Sequence, residues 1–368
     1  MHTNRPHIAV IGLKGLPAYG GAAAVGENII GQLKAQYDFT VLSVRSHTSA
    51  GTSNIDGIRQ VVFRNFGKGG LNTFLYYWQC LFYVLFRDFD LIHLHHAESG
   101  FITPFLRFKY KVVVTFHGVY KYNDPKFSNF HNWFFRFSER LNVRFANLVI
   151  SVSKPDLSYI ENKYGRIIEC IPNGIDLDVA QNLTDDQNKK KEYILFAAAR
   201  IYEIKGLHLL LSSLKKINSQ IEIKIAGDID QVPEYKKQIL ALCDGMNVTF
   251  LGMIKDKKVL MSLVQSAKIF VFPSLTEAMS MMLLEVVSMK TPVIASDIPS
   301  NKAVFNDNEM LFFKSESVED LKLKLSYALD KNDDMEKKAT RAFEKLKNEY
   351  SWEKIAKQYS NIYSSLLN

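Results

Sequence analysis

Cysteine is scarce in this chain: Cys80, Cys170 and Cys243 are widely separated in 368 residues. That excludes a disulfide framework and a Cys-rich metal site, and reduced thiols of a cytosolic protein are the expectation. No apolar run reaches the roughly 18 residues of a membrane-spanning helix; the nearest, residues 73–86, has fourteen. Strand-like sequence begins at His7 and leaves no room for a signal peptide. The first glycine-rich turn is not a G-x-G-x-x-G fingerprint, and no acidic residue takes the ribose role, which disfavours nicotinamide chemistry. Zinc-finger spacing, RNP-like aromatics and a dense basic run are also missing, so nucleic acid is not expected as a partner.

What is present is a chain 47% hydrophobic and 23% charged, the composition of a soluble globular protein long enough for two domains. The formal charge of +8 is uneven, since residues 1–180 hold 19 Lys/Arg against 13 Asp/Glu. A basic first half suits an anionic substrate or an anionic membrane surface.

Short apolar runs alternate with helical patterns along the whole chain, an α/β rhythm. Strands are expected at 8–11, 39–44, 58–63, 90–93, 111–115, 148–152 and 167–171, then again at 193–198, 221–226, 248–251, 269–272, 292–295 and 310–313. Polar residues 181–191 separate the two sets and read as a linker. In residues 71–86, Leu71, Phe74, Leu75, Trp78, Leu81, Phe82 and Leu85 keep helical spacing while Tyr76, Tyr77 and Tyr83 load other faces. Two readings stand there: a helix packed on a sheet, or a surface dipping into lipid headgroups. Residues 127–144 interleave Trp133, Phe134 and Phe135 with Arg136, Arg140 and Arg144 and carry the same ambiguity.

Chemistry-bearing residues gather where strands are expected to end. Gly12-Leu-Lys-Gly-Leu-Pro-Ala-Tyr-Gly-Gly21 joins the first strand to a helix, so the amides of Gly20 and Gly21 can approach an anion. His95-His-Ala-Glu98 offers a histidine cluster, but no matching ligand set elsewhere supports a metal. His117-Gly118 closes the 111–115 strand, a position where α/β sheets hold ligands. Arg200 and Lys205, at a strand end and a helix start, can grip a diphosphate as a planar fork and a point charge. Glu277 and Glu285 are eight residues apart after the 269–272 strand. Glu277 is expected at a helix entrance, where the macrodipole favours a carboxylate. Glu285 lies among Leu283, Leu284, Val286 and Val287 and must find a partner. The pair is either the edge of an amphipathic helix or two acids lining a site.

These segments resemble the retaining glycosyltransferases of family 4. The resemblance rests on Glu277 to Glu285 (E-x7-E), Arg200-Ile-Tyr-Glu-Ile-Lys205-Gly206, Pro172-Asn-Gly-Ile-Asp176, His117-Gly118 and the Gly-Gly of the first loop. It covers nearly the whole chain and is densest over 193–300. Some positions depart from the pattern: Ala22-Ala-Ala24 stands where many members have a Glu, and Ala278 and Ser280 replace two glycines.

The resemblance implies the GT-B architecture, with two Rossmann-like domains facing across a cleft and a terminal helix crossing back to the first. Domains are then expected at 1–172 (with 352–368) and 173–351, closing on each other across residues 173–191. It also implies site roles. Arg200 and Lys205 neutralise the donor diphosphate, with amides of Gly20, Gly21, Met279, Ser280 and Met281. Gly227 and Ile254 border the nucleotide, Glu285 accepts from its ribose, Glu277 holds a donor-sugar hydroxyl, and His117 stands near the anomeric carbon. The expected activity moves a sugar with retention from a nucleotide diphosphate sugar, UDP favoured, to a glycan that is lipid-linked in bacterial polysaccharide assembly. No metal or cofactor is required, and the location is cytoplasmic, peripheral on the inner membrane face. An epimerase of the same architecture and a catalytically silent sugar-nucleotide-binding partner are the alternatives.

Overall fold

The structure, a computed structural model, describes residues 5–18, 21–48, 51–67, 69–119, 128–177, 191–218 and 220–368. Gly20 and residues 181–190 of the expected linker lie outside these; Lys191 is already the first residue of a strand. The chain forms two compact units, Met1–Gly174 with Trp352–Asn368, and Ile175–Ser351.

Unit 1 is built on an eight-stranded sheet. Its strands are β1 (His7–Lys14), β2 (Asp38–Val44), β3 (Ser53–Ile55), β4 (Ile58–Phe63), β5 (Leu91–His95), β6 (Lys111–Phe116), β7 (Leu148–Ser151) and β8 (Glu169–Cys170). Their order is β3-β4-β2-β1-β5-β6-β7-β8, parallel except for the β3–β4 hairpin. Buried on both faces, the central strands read as continuous apolar runs, and Ile8, Ala9, Val10 and Ile11 are at most 1% exposed. The expected strand at 167–171 shrinks to two residues because it pairs on one side only, with β7, and Ile167 points to solvent.

The helix Gly69–Leu85 packs on this sheet, but with a different face from the one its apolar spacing suggests. Asn72, Tyr76, Tyr77, Cys80, Leu81 and Val84 are buried, whereas Leu71, Phe74 and Phe82 are exposed. The reason is a polar contact that periodicity does not register. The Tyr76 hydroxyl donates to Leu42 O at 2.6 Å and accepts from Gly12 N at 3.0 Å. A Phe there would leave that buried amide unpaired, at a cost of about 1–3 kcal/mol.

The helix Trp352–Leu367 also belongs to unit 1. Its Tyr359 and Tyr363 are buried, and the Tyr363 hydroxyl lies 2.7 Å from Nδ1 of His93. Gly174 packs against Trp352, so the chain leaves unit 1 and re-enters it at adjacent points.

Unit 2 carries six parallel strands: β9 (Lys191–Arg200), β10 (Glu222–Asp228), β11 (Val248–Gly252), β12 (Ala267–Phe272), β13 (Val293–Ser296) and β14 (Leu311–Phe313). The order β11-β10-β9-β12-β13-β14 is the doubly wound Rossmann order, which reverses direction between β9 and β12. Unit 1 follows the same scheme, reversing between β1 and β5, with β3 and β8 added at its edges. The α/β fold of two Rossmann-like units expected from the sequence is thus the fold observed.

Candidate active site

In an open α/β sheet the crevice for a ligand lies beyond the carboxyl ends of the strands where the order reverses. For unit 2 those strands are β9 and β12. β9 ends in Arg200, whose exposed side chain has no hydrogen bond or ion pair among the described residues. The chain then makes a short 3-10 turn, Glu203–Lys205, and Gly206 opens the helix Leu207–Ile217. Gly206 has φ +71°, and a Cβ on it would lie 2.0 Å from the carbonyl oxygen of Pro273, the first residue after β12. Only glycine lets the two loops approach so closely. Leu275 N donates to Ile204 O at 2.8 Å and ties them together.

This tie sets Lys205 against Glu277. The ammonium lies 2.6 Å from Oε1, with the side chains 22% and 15% exposed. Glu277 is not at a helix entrance, as its spacing suggested; it lies in the loop, and the helix starts at Met281. The helix starts there because Ser280 caps it, its Oγ accepting from Leu283 N at 3.4 Å. The amides of Met281 and Met282, in the first turn, have no acceptor among the described residues and face the macrodipole's positive end. Met279 is buried beneath this loop.

Glu285, one turn into the helix, does find a partner. Lys257 Nζ lies 2.9 Å from its Oε1. Lys257 opens the helix Lys257–Ser266, capped by Asp256, and the sequence reading did not include it. Asp256 before an apolar-periodic run was the signal that could have placed that helix. Ile254, between β11 and Lys257, is half-buried, and Gly227, near the end of β10, would press a Cβ onto the carbonyl of Ala198. Lys205 and Glu277 are thus brought into direct contact, whereas Glu285 is bonded to a different lysine.

In unit 1, His117 follows β6 and sits beside the β1/β5 reversal. Its Nε2 lies 2.8 Å from Nδ1 of His95, the last residue of β5. Burial, and then the neighbouring His96 and His93, hold its imidazole well below the ordinary value, so it is neutral at pH 7. Two non-glycine residues at these strand ends, Lys14 and His96, take left-handed backbone angles (φ +70° and +71°). Strain of that kind, of order 1–3 kcal/mol each, collects at functional sites. Gly21 opens the first helix, Gly21–Leu33. Among the described residues no three His, Cys, Asp or Glu side chains are placed to share a metal ion. Within the 95–98 histidine cluster, Nδ1 of His95 is engaged by His117.

Comparison with known proteins supports a family assignment. The chain is 28% identical over 208 residues to the phosphatidylinositol N-acetylglucosaminyltransferase gpi3 subunit of Schizosaccharomyces pombe, covering 54% of this chain and 44% of that one. This chain therefore spans less than half of that relative. It is 24% identical over 293 residues to a phosphatidyl-myo-inositol mannosyltransferase of Mycobacterium tuberculosis, covering 76% of this chain and 74% of that one. Its fold matches sucrose-phosphate synthase from Thermosynechococcus elongatus with a TM-score of 0.83 at 20% identity, over 98% and 99% of the two chains. A family profile described as Glycosyltransferase Family 4 matches residues 19–179, and one described as Glycosyl transferases group 1 matches residues 180–345. The profiles meet end to end across both units, and the chain belongs to the family-4, group 1 glycosyltransferases.

Proposed function

We propose that this protein transfers a sugar, with retention, from a nucleoside diphosphate sugar to a glycan acceptor. The observation that carries the reading is the contact of Lys205 with Glu277 at the β9/β12 reversal, with Arg200 at the end of β9 unpaired among the described residues. Departure of a diphosphate from an oxocarbenium-like carbon calls for fixed positive charge aimed at phosphate. Arg200, Lys205 and the helix amides of Met281 and Met282 supply such charge. On binding, the diphosphate draws Lys205 from Glu277, whose freed carboxylate takes a donor-sugar hydroxyl and orients the ring. Glu285 accepts from the ribose hydroxyls, and Lys257 fixes its rotamer. No protein nucleophile is assigned: the leaving phosphate takes the acceptor's proton on the face it departs from. His117 contributes near the anomeric carbon, and Gly20, Gly21, Met279 and Ser280 complete the donor contacts.

A UDP-sugar is the preferred donor, and a lipid-linked glycan at an anionic membrane surface the preferred acceptor. What supports the membrane is an aromatic ladder on unit 1. Trp78 lies 6.0 Å, centroid to centroid, from both Phe82 and Phe105, and Trp133 stacks between Phe130 and Phe137. Phe82, Phe86, Phe105, Phe108, Phe130 and Trp133 are all exposed, and Arg87 and Lys109 flank the first group. Aromatics beside cations are the composition of a headgroup-level surface. No helix of the described residues is long and apolar enough to cross a membrane.

A thermal-shift panel of UDP, GDP, dTDP and ADP sugars tests the donor, since a ligand of the folded state raises the midpoint by mass action. One nucleotide class is expected to stabilise the wild type and to lose its effect in Arg200→Ala. Product analysis with a glycan acceptor then decides the reaction. Release of an altered free sugar nucleotide would identify an epimerase, and no turnover with any donor would identify a silent binder. Sedimentation with anionic vesicles tests the surface: no binding at low salt removes the membrane from the reading.

A further inference from the structure

His95 has no part in the proposed transfer, although it makes the one polar contact His117 has among the described residues. His95 is 1% exposed, and the two rings are nearly coplanar and meet edge to edge, with centroids 5.1 Å apart and planes 10° apart. His93 packs on His95 at 4.2 Å but does not compete for its nitrogens. Its own Nδ1 and Nε2 are engaged by Tyr363 and Thr115 at 2.7 and 2.8 Å. Burial, then the surrounding imidazoles, push His95 as well as His117 far below the ordinary value, so both are neutral at pH 7.

A neutral imidazole carries one N–H and one lone pair. The 2.8 Å contact therefore holds a single proton, and its owner decides what the far nitrogen of His117 offers. That far atom, Nδ1, is buried and has no hydrogen-bond partner among the described residues. If His95 donates, His117 must carry a proton on Nδ1, stranding an N–H. If His117 donates from Nε2, its Nδ1 is a lone pair and the second proton sits on Nε2 of His95, an atom that is not among the buried unpaired ones. An unpaired buried acceptor is the less costly of the two, and a lone pair suits a reaction in which positive charge grows on a sugar carbon.

We propose that His95 is a positioning residue: its Nδ1 accepts from Nε2–H of His117 and so holds His117 in the one tautomer that leaves a lone pair, not an N–H, on Nδ1. The inference rests on His117 facing substrate, and its test has a readout that does not depend on turnover.

Long-range 1H–15N spectra of the full chain labelled at histidine report each ring's tautomer. The wild type is expected to show His117 with a pyridine-like Nδ1 and a pyrrole-like Nε2, and His95 with a pyridine-like Nδ1. His95→Phe keeps an aromatic ring but removes the acceptor, so His117 should become a tautomer mixture and kcat should fall about 10–100-fold, as when other imidazole-orienting groups are lost. His95→Asn places an amide oxygen near the old Nδ1 and should restore both the spectrum and most of kcat. A purely structural role predicts the opposite order, with Phe tolerated and Asn not. Tautomer averaging in the wild type, or an unchanged His117 spectrum in His95→Phe, overturns the proposal. If His95→Phe does not fold, the wild-type spectra decide. Absence of turnover with every donor would sink the transferase reading while leaving the spectra to judge His95.

Discussion

Lys205 and Glu277 are each other's partner: Nζ and Oε1 are 2.6 Å apart, and both side chains are mostly shielded from water. Removing one therefore strands the other, and neither deletion isolates one residue's contribution. Lys205→Met and Glu277→Gln are each expected to lower kcat/KM by about 10²–10³. The double variant should fall short of the product of the two, by a coupling of about 0.5–3 kcal/mol. Steady-state kinetics on the four proteins of the cycle measures it; strictly multiplicative losses would show that the two groups act independently.

Arg200 behaves differently because nothing among the described residues holds its side chain. Arg200→Ala should leave the melting temperature of the free protein within about 1 °C, as surface changes of under ~0.5 kcal/mol do. It should nevertheless cost about 10²-fold in kcat/KM. Arg200→Lys should recover only part of the loss, because an ammonium cannot make the planar two-point contact with phosphate. Calorimetry without ligand, run beside the kinetics, separates the two effects.

Gly206→Ala puts a methyl group 2.0 Å from a backbone oxygen at a left-handed position. The loop that carries Lys205 must move away from the loop that carries Glu277. A loss of more than about 1 kcal/mol in denaturant titration is expected, together with weaker donor binding. A variant as stable as the wild type would show that the two loops separate freely.

The buried imidazoles set a sign for the acid side of the stability curve. Burial takes His93 from 6.5 in the unfolded chain down to about 3 in the folded one. Between these values the unfolded chain binds more protons, so its population is favoured as pH falls. Stability from this group is complete above about pH 6.5 and declines towards pH 3, with a slope of up to about 1.4 kcal/mol per pH unit. His93→Gln, unable to titrate, should flatten the dependence of the urea midpoint on pH between 7 and 4. An equally steep curve in that variant would put the acid sensitivity elsewhere.

Strands and their order of appearance were readable from apolar runs bounded by polar turns, because a parallel sheet buries both faces of its strands. The helix Leu207–Ile217 begins just after Lys205, the helix start read from the sequence. The buried face of Gly69–Leu85 was not readable, since the Tyr76 hydroxyl answers to Gly12 and Leu42, contacts distant in sequence. Pro233–Leu242 and Lys257–Ser266 were passed over although a proline and an aspartate mark their starts. For the site, the residue types at strand ends were visible, but the pairings were not. That Glu277 meets Lys205 depends on how close two loops come at Gly206 and Pro273, and Glu285 meets Lys257 because the helix Lys257–Ser266 starts beside it.

Tyr359 and Tyr363 fill the core of a unit whose residues outside Trp352–Asn368 all precede Ile175. On the ribosome, Ile175–Ser351 emerges as one unbroken segment and can fold on its own schedule. The earlier-made unit must wait with His93 and Thr115 uncovered until synthesis has passed residue 363. In this chain the unit that starts first cannot close until the helix Trp352–Leu367 is made, after the whole of Ile175–Ser351.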